Sequence, residues 1–158
     1  MLTRRSLLLS AAGAVLAGPA LAADESARAF VTAIYDTYTG KAAKGILLDD
    51  NRTIRRYFEP ALAAMMIKDH DEAAKRGEVG ILDGGPFVDA QDWKITGFDI
   101  AVSEPAAGKA SATVKFTNFS DPKMVALDLI KIKGAWRIRE ITWRRDGKDD
   151  SLRALFRQ

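Results

Sequence analysis

The sequence predicts an α+β domain: N-terminal helices packed in the concave face of a curved antiparallel sheet of about four strands, closed by a short C-terminal helix. Three observations carry this. Apolar residues recur at helical spacing in the first half of the chain, and from Trp93 onward the period changes to that of strands. The breaks between the strand-like runs are too short for parallel crossovers, so neighbouring strands must be antiparallel.

Taking the elements in order, residues 24–39 place Phe30, Val31, Ile34, Tyr35 and Tyr38 on one helical side, with Asp24 or Ser26 to cap the start and Gly40 to stop it. A polar loop runs through Gly45, and a short helix is expected at about residues 53–58. Pro60 suits the first turn of a longer helix whose inner side is marked by Leu62, Met65 and Met66, with His70 at the same spacing, and which ends near Arg76-Gly77. Strands are expected at residues 93–103, 109–118, 123–133 and 135–144. In the first, the apolar phase slips at Gly97, where a bulge would bend the ribbon, and the last slips between Ile138 and Ile141. The third carries Val125, Leu127 and Leu129 on one face but Ile130 and Ile132 on the other. That second face needs a cover, either the terminal helix or a second copy of the chain, and the balance tips to a homodimer through the outer sheet face. Asp150 or Ser151 caps the terminal helix, with Leu152, Leu155 and Phe156 on one side.

The 158 residues suffice for one domain, and 47% hydrophobic with 28% charged residues excludes a disordered or collagen-like chain. Residues 1–22 read as a cleavable export signal: Arg4 and Arg5, an apolar run from Leu7 to Leu16, a Gly18-Pro19 break and Ala20-Leu21-Ala22 as the cleavage site. Thr3-Arg4-Arg5-Ser6-Leu7-Leu8 also resembles the twin-arginine motif, which leaves both export routes open. The product, residues 23–158, is expected to be a single periplasmic or secreted domain without stable membrane insertion. Removing Arg4 and Arg5 leaves 22 basic against 21 acidic residues, a net charge of +1. The export signal, rather than the charge, argues against nucleic acid as a partner. With no Cys and one His, disulfides, thiol chemistry and histidine or cysteine metal centres are excluded, and no cofactor is expected. Residues 131–158 hold 9 basic and 4 acidic side chains, net +5, either a solvated face or a surface for an acidic partner.

Three places have the residue types for chemistry. The loop from Asp83 to Asp92 gathers Asp83, Asp89, Asp92 and Gln91, oxygen donors of the kind calcium takes, but not at helix-loop-helix spacing. The plainer expectation is that Asp83 and Asp89 satisfy turn amides while Gln91 and Asp92 lock the loop to the sheet, with no metal. Tyr35 and Tyr38 lie three apart, with Asp92 and Trp93 opening the strand expected beside them. His70, among Asp69, Asp71 and Glu72, points away from these neighbours and reads as a solvated surface group.

The stretches Gly77-Glu78-Val79-Gly80-Ile81-Leu82-Asp83, Pro86 to Trp93, Val114 to Asn118, Val125 to Leu129, Gly134 to Ile138 and Ser151 to Leu155 together resemble the YbjP/YqhG-like family of uncharacterised exported bacterial proteins. The resemblance spans nearly all of the mature chain. It implies a fold like that of nuclear transport factor two, a cone of helices inside a bent antiparallel sheet, and it implies no particular activity. Members of the family often carry an acidic residue directly before the proline where this chain has Gly85, a departure that counts against a dense carboxylate cluster.

The leading functional expectation is a noncatalytic periplasmic module that binds a protein or a small molecule at the mouth of the cone, with Tyr35, Tyr38, Asp83, Asp89, Gln91, Asp92 and Trp93 as ligand-binding residues. One alternative is a small isomerase-like enzyme using a carboxylate and a tyrosine in the same cavity, by analogy with enzymes of that broad fold. The other is an accessory subunit of an envelope assembly.

Overall fold

A computed structural model describes residues 25–145 and 147–157. The expected export segment 1–22, the cleavage point before Ala23 and the alternative cap Asp24 lie outside the described residues.

The first helix, α1 (Ala27–Asp36), begins at Ser26, whose hydroxyl accepts the Ala29 amide at 3.1 Å. It is shorter than its apolar pattern: the Thr37 hydroxyl donates to the Ile34 carbonyl at 2.7 Å, and Tyr38 follows in a tighter turn whose amide donates to Tyr35. α2 (Asn51–Tyr57) is capped by Asp50, which takes the Arg52 and Thr53 amides and the Thr53 hydroxyl. α3 (Pro60–Arg76) is capped by Glu59 and ends at left-handed Gly77, where the Glu78 amide returns to the Ala73 carbonyl. Its inner side is Leu62, Ala63, Met66, Ile67 and Ala73; His70 is exposed, as expected of a solvated group, although helical spacing sets it in line with Met66, Ile67 and Ala73.

The sheet is curved, antiparallel and has five strands rather than four: β1 (Ile95–Ala106), β2 (Lys109–Asn118), β3 (Asp121–Ile132), β4 (Ala135–Arg145) and β5 (Lys148–Ser151), hydrogen-bonded in chain order. The short fifth strand pairs Thr142 with Ser151 and Arg145 with Lys148, in residues that the sequence reading left unassigned between the last expected strand and the cap at Asp150 or Ser151. The expected slip at Gly97 is a bulge: the register of β1 on β2 shifts between Thr96 and Asp99, with Gly97 at φ 65°. The second slip also appears as a bulge, for Asp128 and Leu129 face Glu140 and Ile138 and leave Arg139 unmatched. β1 continues past its expected end through Pro105, which an edge strand tolerates.

One face of the sheet carries the core. Val114, Val125, Leu127, Ile138, Ile141 and Trp143 are buried with Ile34, Tyr35, Ile54, Phe58 and Leu62 from the helices in one cluster. The terminal helix α4 (Leu152–Leu155), capped by the Ser151 hydroxyl, adds fully buried Leu152 to that same cluster. Ile130 and Ile132 on the other face are half-buried. The exposed large apolar side chains, Leu47, Val79, Ile81 and Phe119, lie in loops and turns. Among the described residues no helix is long and apolar enough to cross a membrane.

Candidate functional site

The loop following α3 is fastened at several points. The Asp69 carboxylate accepts the Ile81 amide at 2.8 Å, and Gly80 passes so close that a Cβ there would lie 2.5 Å from the same carboxylate oxygen. Further on, the Gly85 amide donates to the Ala90 carbonyl at 2.9 Å, and the Trp143 indole donates to the Pro86 carbonyl at 2.7 Å from within the core. The loop's exit is pinned by Asn118, buried at the end of β2. Its Oδ1 accepts the Lys94 amide at 2.8 Å and its Nδ2 donates to the Asp92 carbonyl at 3.2 Å. Such a backbone is a rigid wall, not a strand free to wrap an ion.

The acidic side chains of this loop do not converge. Asp83 accepts from Gln91 Nε2 at 2.7 Å, so these two bond each other across the loop mouth. Asp89 turns to the sheet, where Arg145 binds it through Nε at 2.9 Å and through Nη2, and Lys123 Nζ stands 3.7 Å away. Asp92 is exposed and gives its carbonyl, not its carboxylate, to the anchoring of the loop. The expectation that turn amides take up Asp83 and Asp89 is thus corrected: side chains do so, because Arg145 and Lys123 project from adjacent strands toward the loop. Gln91 and Asp92 were expected to lock the loop to the sheet; Asp92 does so through its carbonyl, held by Asn118 of β2, whereas Gln91 bonds Asp83 within the loop. Among the described residues no group of three or more His, Cys, Asp or Glu side chains stands where it could hold a metal ion.

The two tyrosines part company. Tyr35, 1% exposed, is sealed under Phe98 at 5.1 Å between ring centroids and beside Phe116, in the middle of the core. Tyr38, in the turn after α1, meets the Trp93 ring edge-on at 5.2 Å and lies beside Phe87. The Tyr35 hydroxyl is buried without a hydrogen-bond partner, and the buried Tyr38 hydroxyl has the Ile46 backbone amide beside it. Burial pushes the Tyr35 hydroxyl far up, with Tyr38 adding to the rise. It pushes Tyr38 up to about 12, the Ile46 amide offsetting part of the effect and Tyr57 adding to it. Neither is an acid at neutral pH.

Four of the expected site residues do share a cavity. A cleft of about 370 Å³ runs between the extended segment 46–48 and the loop 83–91, with Tyr38 and Trp93 as its aromatic floor, Leu47 and Leu48 along one wall and the Asp83–Gln91 pair along the other. Leu47 is 63% exposed over this cleft. Gly45 sets the floor: at φ 65° it lies on the rings, and a Cβ there would come within 2.7 Å of Tyr38 Cε1 and 3.0 Å of Trp93 Cζ2. Asp92 lines a second depression of about 400 Å³ on the far side of Trp93, with Tyr38, Gly40 and Lys94. Asp89 lines a third, of about 320 Å³, with Arg145, Trp143 and Leu155. Tyr35 lines none of these three.

Sequence reasoning missed segment 46–48, Gly45, Lys123, Asn118 and Arg145. Only Asn118 left a clear signal, as a polar residue in phase with Ala110, Ala112, Val114 and Phe116. Chemically, the cleft offers an aromatic floor, an aliphatic wall and a neutral-donor and carboxylate rim, which is the makeup of a site that holds an apolar group and orients its polar end. The chain matches no family model, no curated protein and no solved structure in comparisons with each.

Proposed function

We propose that the protein is a noncatalytic, exported binding module, a YbjP/YqhG-like domain whose helices fill the concave side of the sheet in the manner of nuclear transport factor two. Its ligand is an apolar or aromatic group carried by a protein segment or a small molecule, seated between segment 46–48 and the loop 83–91. The observation that carries this reading is the Tyr38–Trp93 floor with Leu47 exposed beside it. Apolar surface left open in a cleft whose walls are tied down by hydrogen bonds is preorganised for an occupant. The isomerase-like reading has less to rest on: Asp89 is held by Arg145, Tyr35 is sealed beneath Phe98, and Tyr38, which shares cavities with Asp83 and Asp92, keeps its hydroxyl buried with its pKa pushed up to about 12 while Asp83 is taken up by Gln91.

A fragment screen by two-dimensional NMR, using indole and short aliphatic alcohols as probes, tests the site. Supporting fragments shift the amides of residues 46–48 and 83–91, and Leu47→Ser or Trp93→Ala weakens them. Shifts confined to other regions, or none, would overturn the assignment. Export is tested separately by mass spectrometry of the periplasmic fraction, which should contain a chain beginning at Ala23; an unprocessed cytoplasmic chain rejects it.

A further inference from the structure

A second cavity, of about 360 Å³, lies where the turn between β3 and β4 meets the junction of α2 and α3. Its volume falls within the roughly 300–1,000 Å³ of small-molecule sites. Its floor is apolar: Phe58 and Ala63 are fully buried beneath it, and Pro60, Ile132 and Ala135 form its sides. The junction is fixed to the sheet, for Phe58 bridges Ile138 and the Glu59 amide donates to the Ile138 carbonyl at 2.9 Å, so the floor cannot easily collapse.

The rim carries three cations and no acid. Arg55 comes from the last turn of α2, Lys133 from the turn and Arg137 from β4. None of the three pairs with a carboxylate among the described residues, whereas the cations of the neighbouring surface do: Arg139 with Asp128, and Arg153 with Glu59 and Glu140. Arg137 is held in place by donating Nη1 to the Trp136 carbonyl at 2.7 Å, which leaves its remaining donors to a ligand. Lys133 and Gly134 form a two-residue turn with φ 51° and 80°, the conformation for which Asn-Gly is the favoured pair, so the cation occupies a position that Asn would adopt more readily. Three like charges gathered around an apolar floor repel one another until an anion joins them.

From this arrangement we infer that the groove between the β3–β4 turn and the α2–α3 junction binds a single-chain anionic amphiphile, its carboxylate or phosphate head on Arg55, Lys133 and Arg137 and its aliphatic chain over Phe58, Ala63 and Ile132. The charge complementarity selects an anion, and the apolar floor selects a chain over a bare ion. This site shares no residue with the Tyr38–Trp93 cleft and stands or falls independently of it.

Calorimetric titration of the protein expressed from its complete sequence, with decanoate kept below its micelle concentration, tests this. Decanoate should bind at one site per chain, weaken with added salt and shift the NMR signals of residues 55–63 and 132–137. Decyltrimethylammonium, decanol and inorganic phosphate should bind at least roughly tenfold more weakly. The triple variant Arg55→Gln, Lys133→Asn, Arg137→Gln should keep its fold, the Asn suiting the turn, and lose at least roughly tenfold in decanoate affinity. Absence of decanoate binding, equal binding of the cationic or neutral chain, or an unaffected triple variant would overturn the proposal. Binding to phosphatidylglycerol vesicles with none to monomeric decanoate would overturn it in favour of a membrane-docking surface, and equal affinity for inorganic phosphate would reduce it to an ion site.

Discussion

Asp89 and Arg145 join the loop after α3 to the far end of β4: the guanidinium binds one carboxylate oxygen through Nε at 2.9 Å and through Nη2, while its carbon lies over the Trp143 ring, 4.8 Å from the centroid. The pair raises the pKa of the arginine, through the Asp89 hydrogen bond first. Asp89 is 9% exposed at its side chain but Arg145 is 45% exposed, so water screens much of the attraction. Asp89 also sits at φ 51°, where Asn is tolerated and Ala is strained. Asp89→Asn should therefore cost about 1 kcal/mol, and Asp89→Ala about 1 kcal/mol more. Urea unfolding of both, with Arg145→Gln in a double-mutant cycle, measures the two parts; equal stability of wild type and Asp89→Asn would show that the ion pair holds nothing.

Glu59 links α3, α4 and β4, its amide donating to the Ile138 carbonyl of β4. Its carboxylate caps α3 through the Ala61 and Leu62 amides and accepts Arg153 from α4. Burial acts to raise its pKa, but the Ala61 amide, the Arg153 hydrogen bond and the Leu62 amide together outweigh it, and the net shift is downward from 4.5. A depressed folded pKa contributes stability that is complete above the unfolded value and fades as the pH falls below it. Glu59→Gln should lose about 1–2 kcal/mol at neutral pH, with the gap to wild type closing as the pH falls below 4.5. Thermal melts across that range check it. A constant gap at all pH values would mean that the carboxylate's charge is irrelevant.

What the sequence revealed and what it hid divide along physical lines. The bulges at Gly97 and beside Arg139 were visible because a slip of one residue exchanges the faces of a strand, and the apolar pattern records it directly. The α3 boundaries were visible because Pro60 and Gly77 are strong local signals. β5 was hidden, since Lys148, Asp149, Asp150 and Ser151 have no apolar alternation and pair only because β4 offers an open edge; the Asp146-Gly147 dipeptide was the available hairpin clue. The cleft was half legible. Tyr38, Asp83, Gln91 and Trp93 line it together, but their opposite wall, Ile46 to Leu48, is set by tertiary packing on a loop with no periodicity. Asp89 and Tyr35 were misplaced because one partner lies on β4 and the other residue's neighbours on β1 and β2, contacts that local spacing does not encode.

Gly45 offers a direct probe of the cleft floor. Its backbone is left-handed, and the space a methyl group would occupy is already filled by the rings of Tyr38 and Trp93. Gly45→Ala should destabilise the fold by about 2–4 kcal/mol, the sum of backbone strain and overpacking. It should also shift the Trp93 emission, whereas Gly40→Ala, with φ 81° but open space around it, should show the strain alone at about 1–2 kcal/mol. Chemical unfolding of both, read by fluorescence, separates the terms. If the two substitutions cost the same, the close approach at Gly45 is not real.

The buried hydroxyls of Tyr35 and Tyr38 make the chain sensitive to alkali. In the unfolded chain both ionise near 10, whereas in the folded protein Tyr38 holds its proton to about 12 and Tyr35 beyond that. A folded pKa raised above the unfolded one gives stability that is complete below the unfolded value and is lost as pH rises through the interval between them. Unfolding should therefore set in between about pH 10 and pH 12, with tyrosinate absorbance from these two side chains rising together with the loss of circular dichroism. Because the Tyr35 hydroxyl has no partner, Tyr35→Phe should be neutral or stabilising by up to about 1 kcal/mol at neutral pH and should move the alkaline transition upward. Tyrosinate appearing from both residues while the fold persists at pH 10 would refute the burial of these groups, and a loss of several kcal/mol in Tyr35→Phe would reveal a hydrogen bond to the hydroxyl that burial conceals.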